Sequence, residues 1–233
     1  MQHAEPRRFS RRRVEQLLSK TKSFHSVGNR IAILSRQFLG LPYDTHTLIG
    51  SADTPEVFTV SLKAFDCVTY METVLALALA NNADEFVQWL RKIRYENGRI
   101  QWKRRNHYMT EWIRSNVHAG ALQRPALRGI DSVSKQRTLD DVPGLPPVST
   151  HFTCVPRRAL SKLIPHIQTG DLIFFASTRS YLDVFHCGIL VRDGDRVLLR
   201  HAARSRGAVV EQDLNEFLKA NRMAGLIIAR PRS

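Results

Sequence analysis

An apolar run between residues 67 and 80, CVTYMETVLALALA, constrains the fold of this chain more than any other feature. From Val68 to Ala80 only Thr69, Glu72 and Thr73 interrupt it. A helix of this length is too short to cross a bilayer, which takes about 20 apolar residues. We therefore expect a buried helix whose apolar body anchors the core of the protein.

The composition favours one large domain with a basic character. The chain has 233 residues, of which 43% are hydrophobic, and this is ample material for a core. Its formal net charge of +14 predicts an anionic environment or partner, such as nucleic acid, a membrane surface or a cell-wall polymer.

The N-terminal residues are basic and resemble a solvated arm. Arg7, Arg8 and Arg11–Arg13 crowd this region, and a short amphipathic segment follows them. Residues 1–18 contain no apolar segment of the kind that a secretory signal needs. The chain therefore either stays inside the cell or begins after a signal that has been removed.

The first two thirds of the sequence contain mainly helical patterns. Residues 27–38 have helical spacing, with Gly40 as a natural stop, and residues 83–96 form a second helical stretch. Residues 56–62, EVFTVSL, alternate as a β-strand does. The proline-rich residues 139–149 predict a loop.

The last third is rich in strand patterns. DLIFFA, FHCGILV, RVLLRHAA and GAVVEQ are short β-rich runs, and VRDGDRV is a hairpin signal. A helix, DLNEFLKANR, and a strand, AGLIIARP, complete the chain. Helices followed by an antiparallel sheet predict an α+β fold. We divide the chain into a basic arm with a short helix, residues 1–25, and a single domain, residues 26–233.

The three cysteines, Cys67, Cys154 and Cys187, are widely spaced and form no C-x-x-C pair. This argues against both a zinc ribbon and a disulfide framework. Cys67 follows Asp66, a suitable N-cap, so it lies in the first turn of the buried helix, where backbone N–H groups and the helix dipole stabilise a thiolate. Cys187 follows His186 in a predicted strand, points to the opposite face and is expected in the core.

A cysteine nucleophile needs an imidazole to take its proton and a third group to orient that imidazole. His186 begins HCGILV, and His201 closes the next predicted strand, RVLLRH. Adjacent antiparallel strands would bring the two rings side by side. Cys67, His186 and His201 together therefore suggest nucleophilic catalysis.

Several segments, taken in order, resemble a known superfamily. FDCVTYMETVLALA, GDLIFF, HCGILV and HAA resemble the NlpC-type cell-wall cysteine hydrolases, which are papain-like. LGLPYDTHTL, RRNHYMTEWI, YLDVFHCGIL and LIIARP are similar to the N-acetylmuramoyl-L-alanine amidase-like branch. The resemblance extends from about Phe38 to Pro231 and implies a papain-like fold.

The resemblance also implies roles for individual residues. Cys67 would be the nucleophile, His186 the general base and acid, and His201 the orienting group. Tyr43 would lie against the nucleophile and help to bind the oxyanion. Many superfamily members have Ser-Gly after the cysteine, whereas Val68 and Thr69 here match the amidase branch.

A basic and aromatic segment supplies candidates for substrate binding. In the resembling family the Arg105, Asn106 and His107 stretch belongs to the substrate cleft, and Arg105 would pair with a peptide carboxylate. Trp102 and Tyr108 would stack on a sugar. Asp183, within YLDVFHCGIL, completes the substrate-binding candidates. The same mixture of rings and cations suits nucleic acid, but no nucleic-acid motif is present and that function would leave Cys67 unused.

The resemblance implies a hydrolase that cleaves the amide between N-acetylmuramic acid and L-alanine in peptidoglycan or muropeptides, without a metal or cofactor. A γ-D-glutamyl endopeptidase and a cysteine acyltransferase would use the same three side chains. Metal-dependent and serine chemistries are disfavoured because H-E-x-x-H and G-x-S-x-G are absent from the sequence. We expect a monomer without a transmembrane segment, in the bacterial periplasm, envelope or exterior, with the cytoplasm as an alternative. Anionic envelope polymers are a further expected partner.

Overall fold

A six-stranded antiparallel sheet with helices on both faces forms the centre of residues 9–232, the part of the chain that this computed structural model describes. The helices are α1 (Arg11–Ser19), α2 (Val27–Arg36), α3 (Cys67–Leu79), α4 (Ala83–Arg94), α5 (Met109–His118), α6 (Leu160–Leu163) and α7 (Leu214–Ala220). The strands are β1 (Leu122–Gln123), β2 (Val133–Leu139), β3 (Val148–Cys154), β4 (Leu172–Ala176), β5 (Val184–Asp193), β6 (Arg196–Ala203), β7 (Ala208–Asp213) and β8 (Gly225–Pro231). The strand order is β1-β8-β4-β5-β6-β7, and β2 and β3 pair separately. The predicted α+β class is confirmed.

The sheet separates two apolar clusters because successive side chains of a strand point to opposite faces. Phe174 and Ile189 belong to the larger cluster, which also contains the buried faces of α1 to α5. Ile173 and Leu190, their neighbours in the sequence, belong to the second cluster, with α6 and α7. Every strand that carries a candidate catalytic residue is therefore held from both sides.

Helix α3 is the central element, as the apolar run predicts. Its residues from Thr69 to Ala78 are all buried. Glu72 is the one charged residue among them: its Oε2 accepts from Arg94 Nε at 2.7 Å, and its Oε1 accepts from Trp112 Nε1 at 3.1 Å. Arg94 Nη1 donates to the Thr59 carbonyl at 2.7 Å. This buried network joins α3 to α4 and α5.

One local prediction is wrong, and another is incomplete. Residues 56–62 do not form a regular strand, since Val57 and Thr59 make only isolated bridges, that of Val57 being to Ile49. Alternation alone cannot supply a regular neighbouring strand, and here the segment around Ile49 pairs with it only locally. The predicted loop at 139–149 is the connection of an unpredicted hairpin, in which Leu139 of β2 pairs with Val148 of β3.

The short N-terminal helix is part of the main core. Val14, Leu17 and Leu18 of α1 are buried in the same cluster as α3, and Arg11 pairs with Asp84 at 2.6 Å. Arg7 and Arg8 lie outside the described residues, and the division of the chain at residue 25 remains a prediction. Among the described helices, none has the length and apolar character needed to cross a membrane.

The buried ion pair between Glu72 and Arg94 should contribute more to stability than the exposed ion pair between Glu111 and Arg114. Arg94→Met should lower the free energy of unfolding by about 3–5 kcal/mol, because it leaves the Glu72 carboxylate buried without its cation. Arg114→Met removes the exposed partner of Glu111 and should cost less than about 1 kcal/mol. Urea unfolding at neutral pH measures both. Equal losses in the two variants would contradict the assigned importance of Glu72.

Candidate active site

The N-terminus of α3 positions Cys67. Asp66 is the N-cap: its Oδ1 accepts from the Thr69 amide at 2.7 Å, while the Asp66 amide donates to Thr69 Oγ1 at 3.0 Å. This reciprocal pair is a capping box in which threonine occupies the position often taken by glutamate. The predicted N-cap is confirmed. It places the cysteine in the first turn, where the backbone amides lack partners within the helix.

Cys67 is a partly exposed free thiol. Its pKa is lowered well below the ordinary value of 9.0. The largest cause is a hydrogen bond from the Cys187 side chain. A hydrogen bond and the charge of His186 act in the same direction, as does the Cys187 backbone, whereas burial opposes them. The surroundings of Cys67 therefore favour the nucleophilic thiolate form.

A β-bulge places His186 at the beginning of β5. In the pairing with β4, Phe175 lies opposite His186 but Ala176 lies opposite Val184, so Phe185 is the extra residue. Bulges re-aim the side chains beside them. The His186 ring stacks against Phe175 and Phe217, with centroid distances of 6.1 and 5.6 Å. These two rings fix its orientation.

His201 lies beside His186, as the strand pattern predicts. His186 Nε2 and His201 Nδ1 are 2.6 Å apart. Burial, and then the charge of His186, lower the pKa of His201 to about 3. His201 is therefore neutral at ordinary pH, and its Nδ1 either accepts from or donates to Nε2 of His186, depending on which nitrogen carries the proton.

Gly188 makes the approach of the two histidines possible. A Cβ atom at this position would lie 2.7 Å from Leu199 Cδ1, 2.9 Å from the Arg200 carbonyl oxygen and 3.1 Å from His201 Cβ. Any larger residue would therefore push β6 and His201 away. This gives a steric reason for the glycine of HCGILV.

Tyr43 also lies close to Cys67. Its amide donates to the Gly207 carbonyl at 2.8 Å, and its backbone bridges to Phe65, two residues before the cysteine. Burial raises the pKa of Tyr43, and negative charge on Cys67 raises it further. The phenol therefore stays protonated and able to donate a hydrogen bond. Burial, and then the charge of Cys67, likewise raise the pKa of Asp66 to about 6.

Cys187 contributes to the site in a way that the sequence analysis missed. It is buried and points to the opposite face from His186, as expected. That face, however, is the one on which α3 packs, so the Cys187 sulfur meets the Cys67 sulfur. The signal in the sequence was the second thiol directly after His186. Nothing in the sequence marked Phe175 and Phe217 as the residues that pack against the His186 ring.

The predicted substrate-binding residues form a separate group. Arg105 Nη2 donates to Glu56 Oε2 at 2.5 Å and to the Gly50 carbonyl at 3.0 Å. Asn106 Nδ2 donates to the Ile93 carbonyl at 3.1 Å. Both side chains thus have partners within the protein. Arg105 and Asn106 line a cavity of about 620 Å³ that Cys67 does not line.

The remaining binding candidates are also held by internal contacts. His107 Nε2 lies 2.8 Å from the Trp102 carbonyl oxygen, and burial lowers its pKa. Tyr108 is buried, and its hydroxyl accepts from the Asp141 amide at 3.0 Å. These roles in substrate binding remain predictions.

Asp183 has a clear structural position. Its Oδ2 accepts from both the amide and the hydroxyl of Thr110 at 2.7 Å, so it caps the beginning of α5 from a distant part of the chain. Burial raises its pKa. Asp183 thereby joins α5 to the beginning of β5, close to His186. Its predicted contact with substrate remains a prediction.

The site offers no cluster of metal ligands. Across residues 9–232, no group of three or more His, Cys, Asp or Glu side chains could hold a metal ion. His186 instead contacts both Cys67 and His201. The arrangement can supply a nucleophile, a proton carrier and an orienting group.

Comparisons with known proteins point to peptidoglycan enzymes. A protein family described as AmiA-like, N-acetylmuramoyl-L-alanine amidase-like, matches residues 33–226. A crystal structure of an N-acetylmuramoyl-L-alanine amidase from Bacteroides uniformis is 26% identical, covers 89% of this chain and 99% of its own, and superposes with a TM-score of 0.78. A Legionella pneumophila protein, 20% identical, covers 96% of this chain and 94% of its own at a TM-score of 0.82 and shares the fold. No curated protein matches the sequence.

The environment of Cys67 predicts an unusual pH dependence of alkylation. Because its lowered pKa preserves the thiolate at acidic pH, iodoacetamide should still modify Cys67 rapidly near pH 6, where an ordinary thiol is almost fully protonated. His186→Ala removes a hydrogen bond and a positive charge, so the pKa should rise and the reaction near pH 6 should slow.

Mass spectrometry of alkylation rates across pH measures this effect. His46→Ala is the matched control, because the His46 side chain is 92% exposed and pairs with Asp44 rather than with a residue of the candidate site. An identical pH profile for His186→Ala and the wild-type protein would contradict the assigned contact.

Proposed function

Because the chain belongs to the N-acetylmuramoyl-L-alanine amidase-like family, we propose that it is a cysteine amidase that cleaves the bond between N-acetylmuramic acid and L-alanine. The contact of Cys67, His186 and His201 carries this proposal. A thiolate at a helix N-terminus, an imidazole and a neutral orienting group are the parts that nucleophilic amide hydrolysis needs. A papain-like ancestry fits the same arrangement.

The first half-reaction forms a thioester. The Cys67 thiolate attacks the carbonyl carbon of the muramyl lactyl amide, and a C–S bond forms. The proton on Nδ1 of His186 passes to the departing nitrogen as the C–N bond breaks, and the peptide leaves with a free L-alanine amine. In the second half, His186 takes a proton from water, hydroxide attacks the thioester, and the thiolate is released.

The negative charge that develops on the carbonyl oxygen needs hydrogen-bond donors. We assign this role to the Cys67 backbone amide, in the first turn of α3, and to the Tyr43 hydroxyl. The raised pKa of Tyr43 keeps this donor protonated. The dipole of α3 points its positive end at the same position.

His201 acts on His186. We assign to His201 the neutral tautomer in which Nδ1 accepts from Nε2 of His186, which lies 2.6 Å away. This tautomer holds the His186 ring in one orientation and stabilises its positive charge during each proton transfer. A carboxylate in this position would attract the same proton more strongly and raise the basicity of His186. The neutral partner therefore orients the ring without strong electrostatic pull.

The substrate cleft needs one revision. Arg105 already pairs with Glu56, a carboxylate whose side chain is only 2% exposed, so direct pairing with a peptide carboxylate would break a buried contact. We propose that Arg105 supports the cleft wall. Trp102 and His107, whose rings lie 5.0 Å apart, form the aromatic part of that wall.

The bond that is cleaved can be determined with defined muropeptides. The wild-type protein should release a peptide with free L-alanine and leave the bond between D-glutamate and the diamino acid intact. Cys67→Ala should be folded and inactive, because no other thiol occupies the helix N-terminus, whereas Cys154→Ala should remain active. Mass spectrometry of the products measures this outcome.

Each alternative has a distinct result in the same assay. Rapid cleavage of a sugar-free L-Ala-γ-D-Glu-diaminopimelate peptide would make the protein an endopeptidase. Capture of the acyl group by an added amine in preference to water would make it a transferase. An active Cys67→Ala variant would overturn the mechanism.

The two histidines should differ in their importance. His186→Ala removes the group that carries the proton in both half-reactions and should lower kcat/KM by about 100- to 10,000-fold. His201→Ala should cost less, and His201→Asn should retain more activity than His201→Ala because an amide can also accept from Nε2. Steady-state kinetics on one muropeptide measures all three. A greater loss in His201→Ala than in His186→Ala would contradict the assigned roles.

A further inference from the structure

Cys187 lies beside Cys67, and the proposed hydrolysis does not use its thiol chemically. Only 1% of its surface is exposed, and it lies in the cluster where α3 packs on the sheet. Its thiol hydrogen-bonds the Cys67 sulfur, and its backbone does so as well. Two free thiols are thus in direct contact, one of them reactive and partly exposed.

This arrangement matches what a reversible thiol switch requires. A thiolate that solvent can reach reacts with peroxides, and a second thiol within reach captures the product before further oxidation. Cys67 meets the first condition through its position at the start of α3. Cys187 meets the second through its contact with the Cys67 sulfur and its exclusion from solvent.

We propose that Cys67 and Cys187 form a covalent modification site for hydrogen peroxide, in which Cys187 is the resolving cysteine. The Cys67 thiolate attacks a peroxide oxygen: an S–O bond forms, the O–O bond breaks, and hydroxide leaves and becomes water. The Cys187 sulfur then attacks the Cys67 sulfenic acid. An S–S bond forms, the S–O bond breaks, and the departing hydroxide takes the Cys187 proton as a second water. One peroxide thus oxidises two thiols to one disulfide.

Oxidation of Cys67 also prepares Cys187 for its step. The pKa of Cys187 is raised well above 9.0, chiefly by its hydrogen bond to Cys67, then by burial and by the Cys67 charge. When Cys67 becomes a neutral sulfenic acid, it loses the negative charge that raises the pKa of Cys187. The resolving thiol therefore becomes more acidic only after the nucleophile has been oxidised.

Cys154 provides an internal control. It lies in β3, outside the cluster that contains Cys67 and Cys187, and its sulfur is 3.8 Å from the Ala224 carbonyl oxygen. It is nearly buried, and burial raises its pKa. Its thiol should neither react early with peroxide nor reach the oxidised nucleophile.

The test treats the intact protein with hydrogen peroxide and then with dithiothreitol. In the wild-type protein, mass spectrometry should find a loss of two hydrogens and a cross-linked peptide pair that contains residues 67 and 187, and the reductant should restore the free thiols. In Cys187→Val, Cys67 should instead gain two or three oxygens, which dithiothreitol cannot remove. Cys154→Ser should behave as the wild-type protein.

Muropeptide cleavage provides a second measurement, with each variant compared with its own untreated sample. Peroxide should inactivate every active form, and the reductant should restore the wild-type and Cys154→Ser proteins but not Cys187→Val. Should Cys187→Val fail to fold by circular dichroism, Cys187→Ala replaces it. Oxygen adducts on wild-type Cys67 without a cross-link would overturn the proposal, as would equal recovery with and without Cys187. The cross-link needs no substrate, so it tests this site even if the proposed amidase activity is wrong.

Discussion

The packing of α3 against the sheet is the contact on which the rest of the structure depends. This helix is buried along most of its length, and a helix without a polar face cannot exist at a protein surface. Glu72 fixes its rotation, because a buried carboxylate must meet both Arg94 and Trp112. Because the rotation of α3 and its position against the sheet are fixed, the position of its first residue, Cys67, is fixed as well.

The site exists because this N-terminus lies where β5 begins. His186 and Cys187 point to opposite faces of β5, yet both contact Cys67. That is possible beside the first residues of a strand, where the bulge at Phe185 turns the backbone. The thiolate thus receives stabilisation from a helix terminus, an imidazole and a second thiol, which come from two distant segments of the chain.

The two histidines have opposite tasks and different surroundings. His201 is 3% exposed and stays neutral, whereas His186 is partly exposed, as the proton carrier of the proposed mechanism must be. Phe175 and Phe217 hold the His186 ring, and Phe217 also packs edge-on against His201 at 5.4 Å. The second apolar cluster, which lies on the far side of the sheet from α3, therefore supports both histidines of the candidate site. It decides the orientation of the imidazole and the pKa of its partner.

The sequence by itself determined the elements whose signals are local. The apolar run of α3, the Asp66 cap and the hairpin between β5 and β6 all follow from neighbouring residues, whereas the β2–β3 hairpin was not predicted. Only the tertiary structure decided the contacts between distant residues, because such contacts depend on which faces of the helices and strands meet. The strand pattern correctly placed Cys187 opposite His186, but only the packing of α3 showed that this face also contains Cys67. Arg105 likewise looked free in the sequence, and only the fold brought Glu56 to it from a segment far away in the chain. Local periodicity fixes where a side chain points, whereas its partner is set by the assembly of distant segments.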